Sequence, residues 1–483
     1  MDTRVNGTLT AIVCLALSVI TTAAWQAPAA PTPRSDAPPV WAPAITKARL
    51  SNGLPVWVVE QHELPVVQMS LVVRSGTAAD PPAHAGIASL TAALLTAGAG
   101  GRSAVAFADE LDRHVANLSA STTADASLLR VYVPADGLAA VLPLMADAAL
   151  RPAFPDAAVD GARRQRLDML RGVRDDPDAL VALAFARGLY GAASRNAAPQ
   201  IGSVASLEST SAADVQAFHR AAYRPANSTM LVVGAVTADD VLPLLERHFG
   251  SWRAAGGPGA AEASTADTQP PARQLLLADV PRAPQARVLV GGVSRASAPA
   301  DYFPIQILTA VLRGRFSEPR TPALREYTTG VRPGFDRRRS GGPLAVTMAV
   351  QGHKAAEALA ELLGELADAL KGVSASELAR AKREVAAEFA QTFDATGRIS
   401  SRLQALEALV TFDLPDDTYV TYADRIDATS ADDVLRVAAQ YLDPAHLVIA
   451  MAGDRADIEP RLTALGLGTP VAVDVDTLFG ARK

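Results

Sequence analysis

At 483 residues, about half of them apolar, the chain is long enough for one to three domains with sizeable cores. A net charge of −6 with no basic block argues against nucleic acid as a partner. The one cysteine, Cys14, rules out a disulfide framework and cysteine chemistry once the amino end is removed.

That amino end reads as a secretory signal over residues 1–24. Arg4 supplies the positive region, Leu9–Ile20 is an apolar core too short for a membrane span, and Thr22-Ala23-Ala24 offers a cleavage site. The expected location is therefore periplasmic or secreted, with a membrane anchor as the outcome if the signal is retained. Val13 stands where a lipidation signal needs a small residue before Cys14. A Pro/Ala-rich leader follows over 25–46. From Ala48 the pattern is β. Val56–Val59 and Val66–Val73 are β-branched runs, with Gln61–Leu64 between them like a hairpin. Ala85–Gly101 reads as one helix with Ile87, Leu90, Leu94 and Leu95 at three- and four-residue spacing, stopped by Gly98, Gly100 and Gly101. A second helix over Ala104–Ala116 is capped by Ser103. Strand Ser127–Val133, helix Leu138–Ala149, a charged helix Ala157–Arg174 and helix Ala179–Leu189 come next. Helix Ala212–Ala222, strand Thr229–Gly234 and helix Ala238–His248 complete the unit. Ala254–Ala272 is Gly/Ala/Pro/Ser/Thr-rich without apolar period and reads as a linker.

After the linker the first pattern returns. Thr210-Ser211-Ala212-Ala213-Asp214-Val215 matches Thr429-Ser430-Ala431-Asp432-Asp433-Val434, an offset of 219 positions. Pro225-Ala226 and Gly234 repeat at that offset as Pro444-Ala445 and Gly453. Pro65 maps likewise onto Pro284, and Ile87–Leu94 onto Gln306–Arg313. This implies a gene duplication and an α+β fold of two tandem homologous domains, at 47–253 and 273–483. Each is expected to be an antiparallel-rich sheet with helices packed on it.

The passage GIASLTAALLTAGAGGRSAVAFADELDRHVANLSAS resembles the pitrilysin/insulinase family of zinc metallopeptidases. In that family the first helix carries His-x-x-Glu-His after a Gly-[Leu/Ile]-Ala start. Aligned on Gly86-Ile87-Ala88, the first His falls on Ser89, the Glu on Ala92 and the second His on Ala93. Two imidazoles at i and i+4 share a helix face and can share a metal, and the Glu can act as general base on metal-bound water. Serine is a poor zinc ligand and alanine is none. The family's third ligand, a later glutamate, falls near Leu170. Asp168, two residues away, lies on another helix face and reads as a surface charge. Active members also offer an Arg and a Tyr to the substrate backbone. Arg325, in Leu324-Arg325-Glu326, matches the Arg, while the Tyr position falls on Arg332 or Pro333. No two of the seven histidines share i,i+3 or i,i+4 spacing. Ser340-Gly341-Gly342-Pro343 reads as a hairpin turn.

The resemblance therefore implies a metallopeptidase homologue that is inactive alone, with no cofactor in this chain and zinc in a partner. The expected partners are a zinc-bearing homologous subunit and unfolded peptide, enclosed together in a chamber of four homologous domains. The alternative is a peptide-binding or scaffolding envelope protein with no protease partner.

Overall fold

The computed structural model describes residues 44–192, 194–254, 272–293, 299–317, 322–393 and 399–479. The expected signal, nearly all of the leader and most of the expected linker fall outside them. None of the described helices is long and apolar enough to cross a membrane.

The first half of the chain forms β1 (Thr46–Arg49), β2 (Pro55–Glu60), β3 (Val66–Val73), the two-residue strands β4 (Gly98–Ala99) and β5 (Arg102–Ser103), then β6 (Asn117–Thr122), β7 (Ser127–Pro134) and β8 (Ser228–Gly234). Six of these make one sheet in the order β1-β2-β8-β3-β7-β6. The second half forms β9 (Gln274–Asp279), β10 (Gln285–Val293), β11 (Thr328–Phe335), β12 (Pro343–Gln351), β13 (Val448–Gly453) and β14 (Val471–Val473). Their order is β11-β12-β10-β13-β9-β14, in which β9, β13, β10, β12 and β11 repeat the run β2-β8-β3-β7-β6, while the edge strand β14 comes last in the chain and runs parallel to β9, unlike β1, which comes first and runs antiparallel to β2. Each sheet is antiparallel apart from its parallel pairs: β2 with β8 in the first, β13 and β14 with β9 in the second. The duplication is thus a property of the topology as well as of the sequence. Helix Ala212–Ala222 and its counterpart Ala431–Tyr441 keep both length and offset, and each starts in a capping box, Ser211 with Asp214 and Ser430 with Asp433. Gln306–Arg313 lies inside helix Tyr302–Ser317, as the repeat requires.

Two local expectations change. Gln61–Leu64 does not join a hairpin, because β8 inserts between β2 and β3 and pairs with both. All seven β8 residues are buried, as suits a strand covered on both faces, and its run of apolar side chains is satisfied only at the centre of the sheet. The helix expected over Ala85–Gly101 stops after Ile87–Leu94. Gly100 and Gly101, at φ 58 and 80, make the tight turn of the β4–β5 hairpin, a conformation open to glycine at little cost. Ser103 then caps helix Ala104–Arg113 by accepting from the Ala106 N–H at 3.3 Å. β6 was not visible as a strand, because Asn-Leu-Ser-Ala-Ser-Thr carries little β-branched or aromatic weight.

Each half also covers the other. Helix Pro177–Tyr190 of the first half packs on β9, β10 and β13 of the second sheet, with Leu180, Val181 and Ala184 against Ala278, Val448 and Ala450. Its counterpart, helix Ile399–Thr411, packs on β3 and β8 of the first sheet, with Leu403, Leu406 and Val410 in one apolar cluster with Val72, Leu231 and Val233. Burial of these faces at about 25 cal/mol per Å² makes neither sheet complete without the other half. Ion pairs stitch the same junction: Arg130 holds Glu407 with two hydrogen bonds of 2.6 and 2.7 Å, and Arg287 holds Asp178 at 2.7 Å.

Candidate functional site

Helix Ile87–Leu94 begins at Gly86, whose φ of 86 and close approach to Gly202 both require glycine. A Cβ at Gly86 would lie 2.4 Å from the Gly202 nitrogen, and one at Gly202 would lie 2.7 Å from the Ala85 carbonyl oxygen. The two glycines let the loop around Pro199–Gly202 press on the start of the helix. Asp80 caps that start: its carboxylate accepts from the Gly86 N–H at 2.6 Å and the Ala88 N–H at 3.0 Å. Burial pushes the Asp80 pKa up to about 7, against the pull of those two N–H groups and of the nearby Arg195 and Arg166.

Ser89, one turn into the helix, is half-buried, Ala92 is buried and Ala93 is exposed. Arg166 reaches Ser89 from helix Asp156–Gly172, donating from Nη1 to the Ser89 hydroxyl at 2.8 Å. The same guanidinium lies 3.2 Å from the Gly86 and Ile201 carbonyl oxygens. Ser89 passes the interaction on, donating to the Gln200 carbonyl at 2.6 Å. Arg166 is only 8% exposed. Burial lowers its pKa to about 10, and Asp80 draws it partly back, so it stays cationic at neutral pH. A fixed protein cation is therefore hydrogen-bonded to Ser89 near the start of this helix.

These residues do not fit a zinc ion. Leu170, one turn beyond Arg166, is buried in the apolar cluster against helix Pro177–Tyr190. Asp168 is exposed and paired with Arg171 at 2.6 Å. Among the described residues no three His, Cys, Asp or Glu side chains are grouped to hold a metal. His84 sits before the helix with Nδ1 3.1 Å from the Thr210 hydroxyl. Arg325 occupies the five-residue helix Pro322–Glu326, two-thirds exposed and 3.9 Å from the Glu326 carboxylate. Arg332 and Pro333 lie on the edge strand β11. Ser340–Gly342 belongs to the β11–β12 connection, with Pro343 opening β12, and is locked at the junction of the halves. Asn196 donates to the Ser340 hydroxyl at 3.3 Å, and the Arg339 N–H bonds Asp125 at 3.0 Å.

Two features lay outside the sequence reading. Arg166 was one of several arginines on a charged helix, and nothing in the run marks which is buried. Strand β6 ends its sheet and lies against helix Ile87–Leu94. Leu118 and Ala120 face the core, while Asn117, Ser119 and Ser121 are exposed. β6 carries no proline. The equivalent edge, β11, contains Pro333, which has no N–H to offer.

Residues 56–195 match the model of insulinase (peptidase family M16), and residues 209–385 match that of the peptidase M16 inactive domain. The chain belongs to the pitrilysin/insulinase, or M16, peptidase family. This M16 chain is 30% identical over 221 residues to an uncharacterized zinc protease of Mycobacterium tuberculosis H37Rv, covering 45% of this chain and 50% of the relative. A Mycobacterium leprae zinc protease is 27% identical over 213 residues, 43% of this chain and 46% of that one. The chain thus spans about half the length of the curated relatives it matches. In fold it superposes on a peptidase M16 inactive domain from Pseudomonas fluorescens with a TM-score of 0.77 at 22% identity, covering 85% of this chain and 98% of that one. The periplasmic protease PqqL from Escherichia coli gives a TM-score of 0.69 at 17% identity, covering 86% and 46%.

Proposed function

We propose that this M16 chain is a non-catalytic peptide-binding subunit that pairs with a zinc-bearing homologue to enclose unfolded peptide. The carrying observation is the Arg166–Ser89 contact. It sits in a duplicated scaffold, at the residue that the resemblance aligns with the family's first metal-binding histidine. Strand β6 is the last of its sheet among the described residues, an edge to which an extended chain of any sequence can add as a further strand through main-chain hydrogen bonds. In this reading the partner holds the zinc and performs the hydrolysis, and this subunit contributes wall and edge strand. The signal-like amino end supports a periplasmic or extracellular location for the pair, and the fold is shared with a protease described as periplasmic.

The test is peptide cleavage and metal analysis on the purified chain, alone and mixed with a zinc-bearing homologue. Cleavage only in the mixture, with zinc only in the homologue, is the expected result. Stoichiometric zinc in the chain alone would overturn it. A pull-down that recovers no zinc-bearing relative would favour a scaffolding role without a protease.

A further inference from the structure

A cavity of about 210 Å³ lies behind the start of helix Ile87–Leu94, between the Thr77–Ala85 segment and the end of helix Pro177–Tyr190. Proline and alanine line much of it, and its charged groups are Arg187, Arg195 and Asp80. Each arginine donates to a carbonyl, Arg187 to Leu478 and Arg195 to Ala78, both at 3.2 Å. Neither has a carboxylate within ion-pair distance among the described residues, although ion pairs are common elsewhere in the fold. Asp80, the one acid present, has both oxygens taken up by the Gly86 and Ala88 N–H groups. Ser194 and Ser203 add hydroxyls to the wall. Two half-buried guanidiniums with N–H groups to spare in a small pocket that also offers hydroxyls are complementary to one planar anion. The volume is below that of a drug-sized site but has room for a terminal residue. The cavity also lies near the end of β6: Thr77 on its wall and the adjoining Ala78 donate to the Thr123 and Ala124 carbonyls, where the chain leaves β6.

We propose that this cavity is a carboxylate-binding subsite, which anchors an acidic group of a peptide held along β6. The proposal rests on the peptide-binding reading for its ligand, and the probes separate the two. Binding to the full chain is measured by calorimetry with four probes. They are an acetylated Ser-Ala hexapeptide with a free carboxylate, its carboxamide, the carboxamide ending in Asp, and N-acetylalanine. Inorganic phosphate is the control. The free acid is expected to bind about 10- to 100-fold more tightly than the amide. Arg187→Gln and Arg195→Gln should each remove that preference, and Arg195→Lys should restore part of it, with circular dichroism confirming that all three variants fold. Equal binding by the Asp-ending amide supports the subsite and assigns it to side-chain carboxylates. Equal binding of acid and plain amide, unchanged in the variants, overturns the subsite and leaves the peptide-binding reading intact. Arginine-dependent binding of N-acetylalanine without either hexapeptide supports the subsite and overturns strand addition. Phosphate binding as tightly as N-acetylalanine overturns the carboxylate assignment, and no binding of any probe overturns both.

Discussion

Ser89 and Arg166 stand 77 positions apart in the chain, on two different helices, and meet at 2.8 Å. The guanidinium ties helix Ile87–Leu94 to helix Asp156–Gly172 and to the Pro199–Gly202 loop. Removing it by Arg166→Met leaves the Gly86 and Ile201 carbonyls without that donor. We expect a loss of about 3 kcal/mol in chemical denaturation. Arg166→Lys should recover less than half, because an ammonium cannot reproduce the planar fork.

The same contact governs any attempt to rebuild the metal site. Ser89→His, Ala92→Glu and Ala93→His together should bind zinc poorly while Arg166 keeps its charge. Adding Arg166→Gln should tighten binding at least about tenfold, or about 1.4 kcal/mol. Leu170→Glu should instead cost stability, since its position lies in the apolar junction of the halves. Metal content after gel filtration and denaturation midpoints check both statements.

Two buried groups give stability opposite dependences on pH. Asp80 has its folded pKa raised to about 7, so its contribution is full below about pH 4 and is lost as pH rises through about 7. His219, buried against Phe154 and Tyr223 with Nε2 2.9 Å from the Ala149 carbonyl, has its pKa lowered to about 4. Its contribution is present above about pH 6.5 and is lost as pH falls through about 4. Asp80→Asn should therefore gain on the native chain as pH rises from about 4 to 7, and His219→Phe as pH falls from about 6.5 to 4. Each change is on the order of 3 kcal/mol across its window. Urea midpoints at several pH values read both slopes.

Glu407 is nearly buried, and Arg130 is its bidentate partner across the junction. Arg130→Met should cost about 3 kcal/mol by stranding the carboxylate, and the double change to Met at both positions should cost less. A double-mutant cycle in denaturant measures the coupling. Independent melting of the two halves would contradict the reciprocal packing.

Strand addition predicts that proline on β6 acts differently at adjacent residues. In Ser119→Pro and Ala120→Pro, the residue whose N–H faces β7 loses a ladder bond and stability. The other keeps the fold and loses peptide binding. Fluorescence titration with an unstructured peptide, beside a thermal melt, distinguishes the pair.

The sequence by itself determined the duplicated α+β scaffold and the boundaries of its best-capped helices. Those rest on local signals: β-branched runs, Ser–Asp capping boxes and a repeat held at one offset. Only the tertiary structure decided that β8 separates β2 from β3, that each half's helix covers the other half's sheet, and that Arg166, not its neighbours Arg163, Arg164 or Arg171, is buried on Ser89. Pairing order and the burial of one cation among several are set by contacts between residues far apart in the chain. Composition and periodicity are read within a few turns, so they carry no record of which distant surfaces meet.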